Sequence, residues 1–325
     1  MKQIKNILAA AALLALPIAF TSCEDILGEW DRPTPATNSA PTAKNVVYSF
    51  SLQDLAGTDI TATDFKVTNQ SGQTVVTASN DGKYTIETDD LGSATLLWLE
   101  ATTTTAKYIV NVKVEELSSV FESGKLKMAA IGNVIGKDGK FYADKAAAET
   151  ASTTAEAMIA YLGTAPAGGT GDATCTHGLA VAMDDVTSNT ISWNNSGTNN
   201  GGKTAVEIFE AWAAAHPVDG STWATWRIPS PDDWKYWFVG AGGKTYNSEL
   251  SNASMHDYGS FCTKVKNAGA TGTGVDESNI TNSHYWTNMA SGYPSNPRWV
   301  YDFYNKKIFY TAEASADCLR GCLVF

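Results

Sequence analysis

The sequence predicts a multi-domain protein in which an all-β sandwich is followed by an α+β domain. Residues 45–116 break into short runs rich in β-branched and aromatic side chains, separated by Gly57, Gly72, Asp81-Gly82 and Gly92. Two helix-start signals then stand at Thr204 and Ser230, with strand-like runs before and after them. Charged residues make up only 18% of the chain while Gly, Thr, Ser and Asn are abundant, a composition that suits a turn-rich extracellular fold.

The N-terminus carries Lys2 and Lys5 ahead of an apolar run over residues 7–20, too short to span a bilayer. Residues 1–22 therefore read as a signal peptide. The run ends in Phe20-Thr21-Ser22-Cys23, which resembles the lipobox at which bacterial lipoproteins are acylated and cleaved, with Phe20 in place of the usual Leu. The resemblance makes Cys23 the lipidation residue, its acyl chains contributing about 0.8 kcal/mol per buried methylene. Residues 23–44 form an acidic, Pro-rich tether, because Pro33, Pro35 and Pro41 favour extended polyproline. Glu24 and Asp25 beside the cysteine resemble the export signal of Bacteroidota surface lipoproteins, so the expected location is the outer membrane, lipid-anchored and facing the exterior.

A net charge of −11, more negative once Lys2 and Lys5 leave with the signal peptide, excludes a general nucleic-acid binder. The membrane is met only through the Cys23 lipid, since no later segment approaches spanning length. Cys175, Cys262, Cys318 and Cys322 are an even number in an oxidising compartment. One or two disulfides are expected, and four cysteines allow three pairings.

The first domain is expected over residues 45–116. VVYSFSL, FKVTNQ, QTVVTAS, KYTIETD, ATLLWLEA and AKYIVNVKVEE read as its strands. In the last of these, Tyr108, Val110, Val112 and Val114 share one face, and Ile109 falls on the other with Lys107, Asn111 and Lys113. Six or seven strands in so short a stretch imply a small sandwich. Its VTNQSGQTVVTASNDGKYTIE segment resembles, in fold alone, extracellular Ig-like or carboxypeptidase-regulatory-like modules.

The second domain is expected over residues 117–325. MAAIGNVIGKDGKFYAD reads as two strands around the turn Lys137-Asp138-Gly139-Lys140, and AEAMIAYLG and HGLAVAMDDV as further strands. A helix follows from Thr204 to His216, with a capping box between Thr204 and Glu207, an apolar face of Ile208, Phe209 and Trp212, and Pro217 as its stop. A second begins at Ser230 with Pro231 in its first turn, Asp232 and Asp233 at the positive end of its dipole, and Trp234, Trp237 and Phe238 facing inward. YWTN, RWVYDF, KIFYTA and CLRGCLVF close the domain as strands, the last able to pair with the first.

WRIPSPDDW, YWTN, RWVYDF and the terminal RGCLVF, in that order, are similar to C-type-lectin-like domains of the Fibrobacter major paralogous type and their Bacteroidota counterparts. The resemblance covers roughly residues 125–325. It implies a non-enzymatic adhesive or ligand-binding surface protein of the pilus-tip kind, whose partner is a host or bacterial surface glycan or protein. The same C-terminal pattern resembles the variable regions of retroelement-diversified proteins, in which loops rather than strand cores change the ligand. Trp226, Trp234, Trp286, Trp299 and Phe303 read as core. Arg227 is placed to pair with Asp232 or Asp233, His177 to sit in a turn, and His256 and His284 to lie in loops. The ligand-binding residues are expected after the YWT strand: Asn288, Tyr293, Asn296, Arg298, Tyr301, Tyr304 and Asn305, side chains that combine contact area with adaptable hydrogen bonds. The calcium-binding motifs of true C-type lectins are missing, so no metal and no cofactor are expected.

Two alternatives stand beside this reading. One is a structural pilus-assembly subunit, partnered by pilin subunits through strand exchange at the sandwich. The other rests on WRIPSPDDW, which also resembles a motif of formylglycine-generating enzymes, and would enlist Cys318 and Cys322 in oxidation.

Overall fold

The computed structural model describes residues 45–75, 77–165, 175–219, 223–246, 258–272, 284–290 and 297–325. The fold is mostly β, in several sheets, and residues 45–325 form one compact unit. Cys23 and the tether lie outside the described residues.

The first sheet holds β1 (Val47–Asp54), β2 (Asp64–Asn69), β3 (Ala78–Asn80), β4 (Lys83–Glu87), β5 (Leu96–Thr102), β6 (Lys107–Lys113) and β7 (Lys125–Ala130), in the order β2-β5-β6-β7-β1-β4-β3. The β3–β4 hairpin turns on Asp81 and Gly82, both at positive φ, as the Asp-Gly signature of a tight two-residue loop demands. Phe65 on β2 and Tyr84 on β4 stand far apart in the strand order, yet their rings lie 4.2 Å apart. The sheet is therefore folded over on itself around Phe50, Leu52, Val67, Ile86, Leu97, Leu99 and Val112. A short helix, α1 (Leu117–Phe121), links β6 to β7 and plugs one end of this core with Leu117 and Phe121.

Two expectations change here. The strand read in QTVVTAS shrinks to β3 and a single bridge from Thr74 to Thr68. The boundary at 116/117 also fails to divide the sheets, because β7 pairs with β1 in parallel and with β6 in antiparallel fashion.

The second sheet is built from β8 (Val134–Gly136), β9 (Phe141–Tyr142), β10 (Ala155–Leu162), β11 (Gly178–Asp185), β12 (Thr225–Arg227) and β16 (Arg320–Val324), in the order β12-β16-β11-β10-β8-β9. The expected Lys137–Lys140 turn joins β8 to β9. The last strand pairs with β11 and β12 rather than with the first strand of the region. β10 and β11 are buried on both faces. One face packs Met158, Ala160, Val181 and Met183 against α4 (Pro231–Gly240) and α5 (Phe261–Asn267). The other packs Ala157, Ile159 and Ala180 against Trp98 and Ile109 of the first sheet.

The remaining helices are α2 (Lys145–Thr150) and α3 (Ala205–Ala215). Thr204 caps α3 and Ser230 caps α4, each in a capping box closed by Glu207 and Asp233 respectively. A third, three-stranded sheet, β13 (His284–Ala290), β14 (Pro297–Asp302) and β15 (Lys307–Ala312), packs Trp286 and Val300 against Phe209 of α3. No described helix is long and apolar enough to cross a membrane.

Candidate functional site

The three-stranded sheet carries every predicted ligand-binding residue that the structure describes. It separates them into three environments. Asn288 and Arg298 come together at the end where β13 stops and β14 starts. The ladder slips by a bulge between Trp286 and Ala290, where Thr287 Oγ1 bonds the Trp299 carbonyl (2.8 Å). A bulge re-aims the residues it contains. The Asn288 amide consequently donates to the Pro229 carbonyl (3.0 Å), while its carbonyl accepts from Arg298 Nη1 (3.0 Å).

Arg298 is held on three sides. Its Nε donates to Glu313 Oε1 (3.0 Å), Nη1 is taken by Asn288, and the guanidinium lies 4.2 Å from the ring centre of buried Trp193. The Trp193 amide bonds the Glu313 carbonyl (2.8 Å), so platform and counter-charge are tied to each other. A guanidinium offers five N–H donors. Two are engaged among the described residues, on a side chain that remains 22% exposed.

Tyr304 and Asn305 sit at the opposite end of the sheet, in the β14–β15 turn. Tyr304 is 63% exposed, the most open large apolar side chain among the described residues. Asn305 serves the turn: its amide and Nδ2 both donate to the Asp302 carboxylate, at 2.9 and 2.7 Å. Tyr301 is a correction. Strand alternation turns it inward, fully buried, where its ring stacks on Trp234 at 5.4 Å, so it is core and not ligand surface. Tyr293, Asn296 and His256 lie outside the described residues.

The other residues singled out in the sequence have structural environments. Trp234, Trp286 and Phe303 are buried, and Trp226 and Trp299 half-buried. Arg227 selects Asp233, with Nε–Oδ2 at 3.1 Å and Nη2–Oδ1 at 2.5 Å, both side chains out of solvent. Burial pushes the Asp233 carboxyl up, and the guanidinium opposes that shift. His177 lies just before β11 as expected, but its ring stacks on Trp98 at 4.3 Å and its Nδ1 lies 2.6 Å from Glu100 Oε1. Partial burial favours the neutral Glu100 carboxyl, yet hydrogen bonds from His177 and Lys66 outweigh it and hold its pKa low.

His284 is the second correction: it opens β13 instead of lying in a loop. Its Nδ1 is 3.2 Å from Asp317 Oδ1 and its Nε2 is 3.7 Å from Asp302 Oδ2, and both carboxylates are buried. The hydrogen bond to Asp317 raises the imidazole pKa against the opposing effect of burial, with the charges of Asp317 and Asp302 adding to the rise. No local pattern announces this arrangement, because the three residues are separated by up to 33 positions and meet only in the folded chain.

The cysteines depart from expectation as well. All four are buried, and Cys175 and Cys322 are free thiols. Burial pushes the Cys175 thiol up to about 11 and Cys322 well above the ordinary value.

An opening lies elsewhere, beside the first sheet. It encloses about 340 Å³ between β6, β7 and the β8–β9 hairpin, and none of its lining residues was singled out as a site in the sequence. A polar cleft of about 280 Å³ is lined by Lys66, Glu100 and His177. No protein-family model matches the chain, and no curated protein matches it at a significant level.

Proposed function

We propose that the protein is a cell-surface lipoprotein, anchored through Cys23, that binds a ligand without chemistry at the end of the β13–β15 sheet. In this reading the first sheet is an Ig-like sandwich and the remainder a C-type-lectin-like domain of the Fibrobacter major paralogous type. The observation that carries it is Arg298. A planar cation stacked on Trp193 and braced by Asn288 and Glu313 has little entropy left to lose on binding. Its remaining N–H donors suit an acceptor-rich ligand, a surface glycan or an acidic protein segment. Exposed Tyr304 supplies a separate aromatic contact at the far end of the same sheet.

An oxidase reading has less support, since thiol chemistry needs an accessible thiolate and the cysteines are buried, with Cys175 and Cys322 raised in pKa. The test is to present residues 45–325 to glycan and protein arrays and to compare adhesion of wild-type and deletion strains. Specific hits together with reduced adhesion support the proposal; an empty array together with unchanged adhesion overturns it.

A further inference from the structure

The pairing of β6 with β7 ends at Ile109 and Ala129, although β6 runs on to Lys113 and β7 begins at Lys125. Beyond that rung, residues from both faces of β6 line one opening, Val110 and Val112 from one face and Asn111 and Lys113 from the other. The opening lies at the seam of two cores. Val110 and Val120 pack on the core of the first sheet, while Leu55, Leu96 and Phe141 pack on the core it shares with the second. Ligand pockets concentrate at such junctions.

The walls of the opening are tied to one another. The β8–β9 turn is held against β6 through Asp219, whose amide donates to the Lys137 carbonyl (2.9 Å) and whose carboxylate takes the Lys113 ammonium (2.8 Å). A Cβ on Gly139 would come within 2.5 Å of Asp219 Cβ, so turn and residue meet without spare room. Lys140 of the same turn reaches Glu116 (3.8 Å). The opening is thus formed before anything enters it, and its volume of about 340 Å³ suits a small molecule.

Charge and polarity narrow the class of guest. Lys113, Lys125 and Lys140 pair with Asp219, Asp59 (3.2 Å) and Glu116. Lys127 is balanced by Asp138, whose carboxylate accepts from the Tyr142 hydroxyl (2.6 Å). Neither sign is in excess, so a charged guest would give up hydration and gain no counter-charge. Inside this rim, Leu55, Leu96, Val110, Val120 and Phe141 are each only half-buried, and Phe141 adds an aromatic wall. The Asn111 carboxamide makes no hydrogen bond among the described residues and offers a donor and an acceptor side by side.

We propose that this opening binds a flat, uncharged ring molecule that carries one carboxamide-like group. The ring lies among the half-buried apolar side chains, offset against Phe141, and the polar group exchanges hydrogen bonds with Asn111. No residue of the β13–β15 sheet lines the opening, so this site and the Arg298 surface can fail independently.

Chemical-shift mapping and titration of the purified full chain test it. The probes are naphthamide, naphthoate and naphthylmethylammonium, which share a ring system and differ in head-group charge. Naphthamide is expected to shift the Val110, Val112 and Val120 methyl signals and the Asn111 side-chain amide, and to bind about tenfold more tightly than either charged analogue. Asn111→Leu is expected to weaken naphthamide by about tenfold while leaving unsubstituted naphthalene as well bound as in the wild type. The proposal is overturned if millimolar naphthamide shifts none of these signals, or shifts only signals of the β13–β15 sheet. It is equally overturned by a charged analogue that binds as tightly as naphthamide, or by an Asn111→Leu chain that binds naphthamide as the wild type does.

Discussion

His284 and Arg227 show how differently single residues can be read. Arg227 stands six positions before Asp233, with a helix cap between them, and the short range narrowed its partner to Asp232 or Asp233, of which the fold selects Asp233. Removing one member of this buried pair strands the other, so Arg227→Ala is expected to cost about 3–5 kcal/mol in chemical denaturation. Replacing both by apolar residues of similar volume should cost much less. His284 was illegible because Asp302 and Asp317 approach it only through sheet pairing. An imidazole whose pKa rises on folding adds stability that is complete below its ordinary value of 6.5 and is lost as pH climbs through the higher folded value. The denaturation midpoint should therefore fall as pH rises above the ordinary imidazole value of 6.5, and His284→Gln should flatten that part of the profile. A profile identical in the two proteins would remove His284 from the account. Tyr301 was misread for a related reason. Its Tyr and Asn neighbourhood looks like a binding loop, but strand alternation turns it onto Trp234.

Among the elements, the helices were the most legible. Thr204 with Glu207, and Ser230 with Pro231 and Asp233, are local signals whose hydrogen bonds form as their spacing requires. Thr204→Ala should lower stability by about 1 kcal/mol in urea denaturation while Thr204→Ser retains most of it, because only the hydroxyl reaches the Glu207 amide. The strands β10 and β11 carried no period-two signature, since both of their faces are buried, one against α4 and α5 and the other against the first sheet. β7 was assigned to the wrong side of the boundary because its place is set by β1, about 75 residues earlier in the chain.

At the scale of the whole molecule, Trp98, Ile109 and Ala129 of the first sheet share a core with Ile135, Ile159, Leu323 and Phe325 of the second. Ile109 was read on the strand face opposite Tyr108, Val110, Val112 and Val114, but what that face meets could not be read. Residues 45–325 should therefore unfold in one cooperative transition by both circular dichroism and tryptophan fluorescence. A fragment of residues 117–325 should fail to fold, because β7 loses β1 and β6 while Leu323 and Phe325 lose Trp98; two separate transitions would restore the division at 116/117. The shared core makes the sheets a firm base for the surface at the end of β13–β15, on which the proposed binding function depends. The measurement closest to that function is the affinity of residues 45–325 and of Arg298→Ala for one array-selected ligand, with melting temperatures compared in parallel. The account predicts a loss of at least about tenfold with little change in melting, the behaviour of a central anchor. Equal affinity in the two proteins would contradict it.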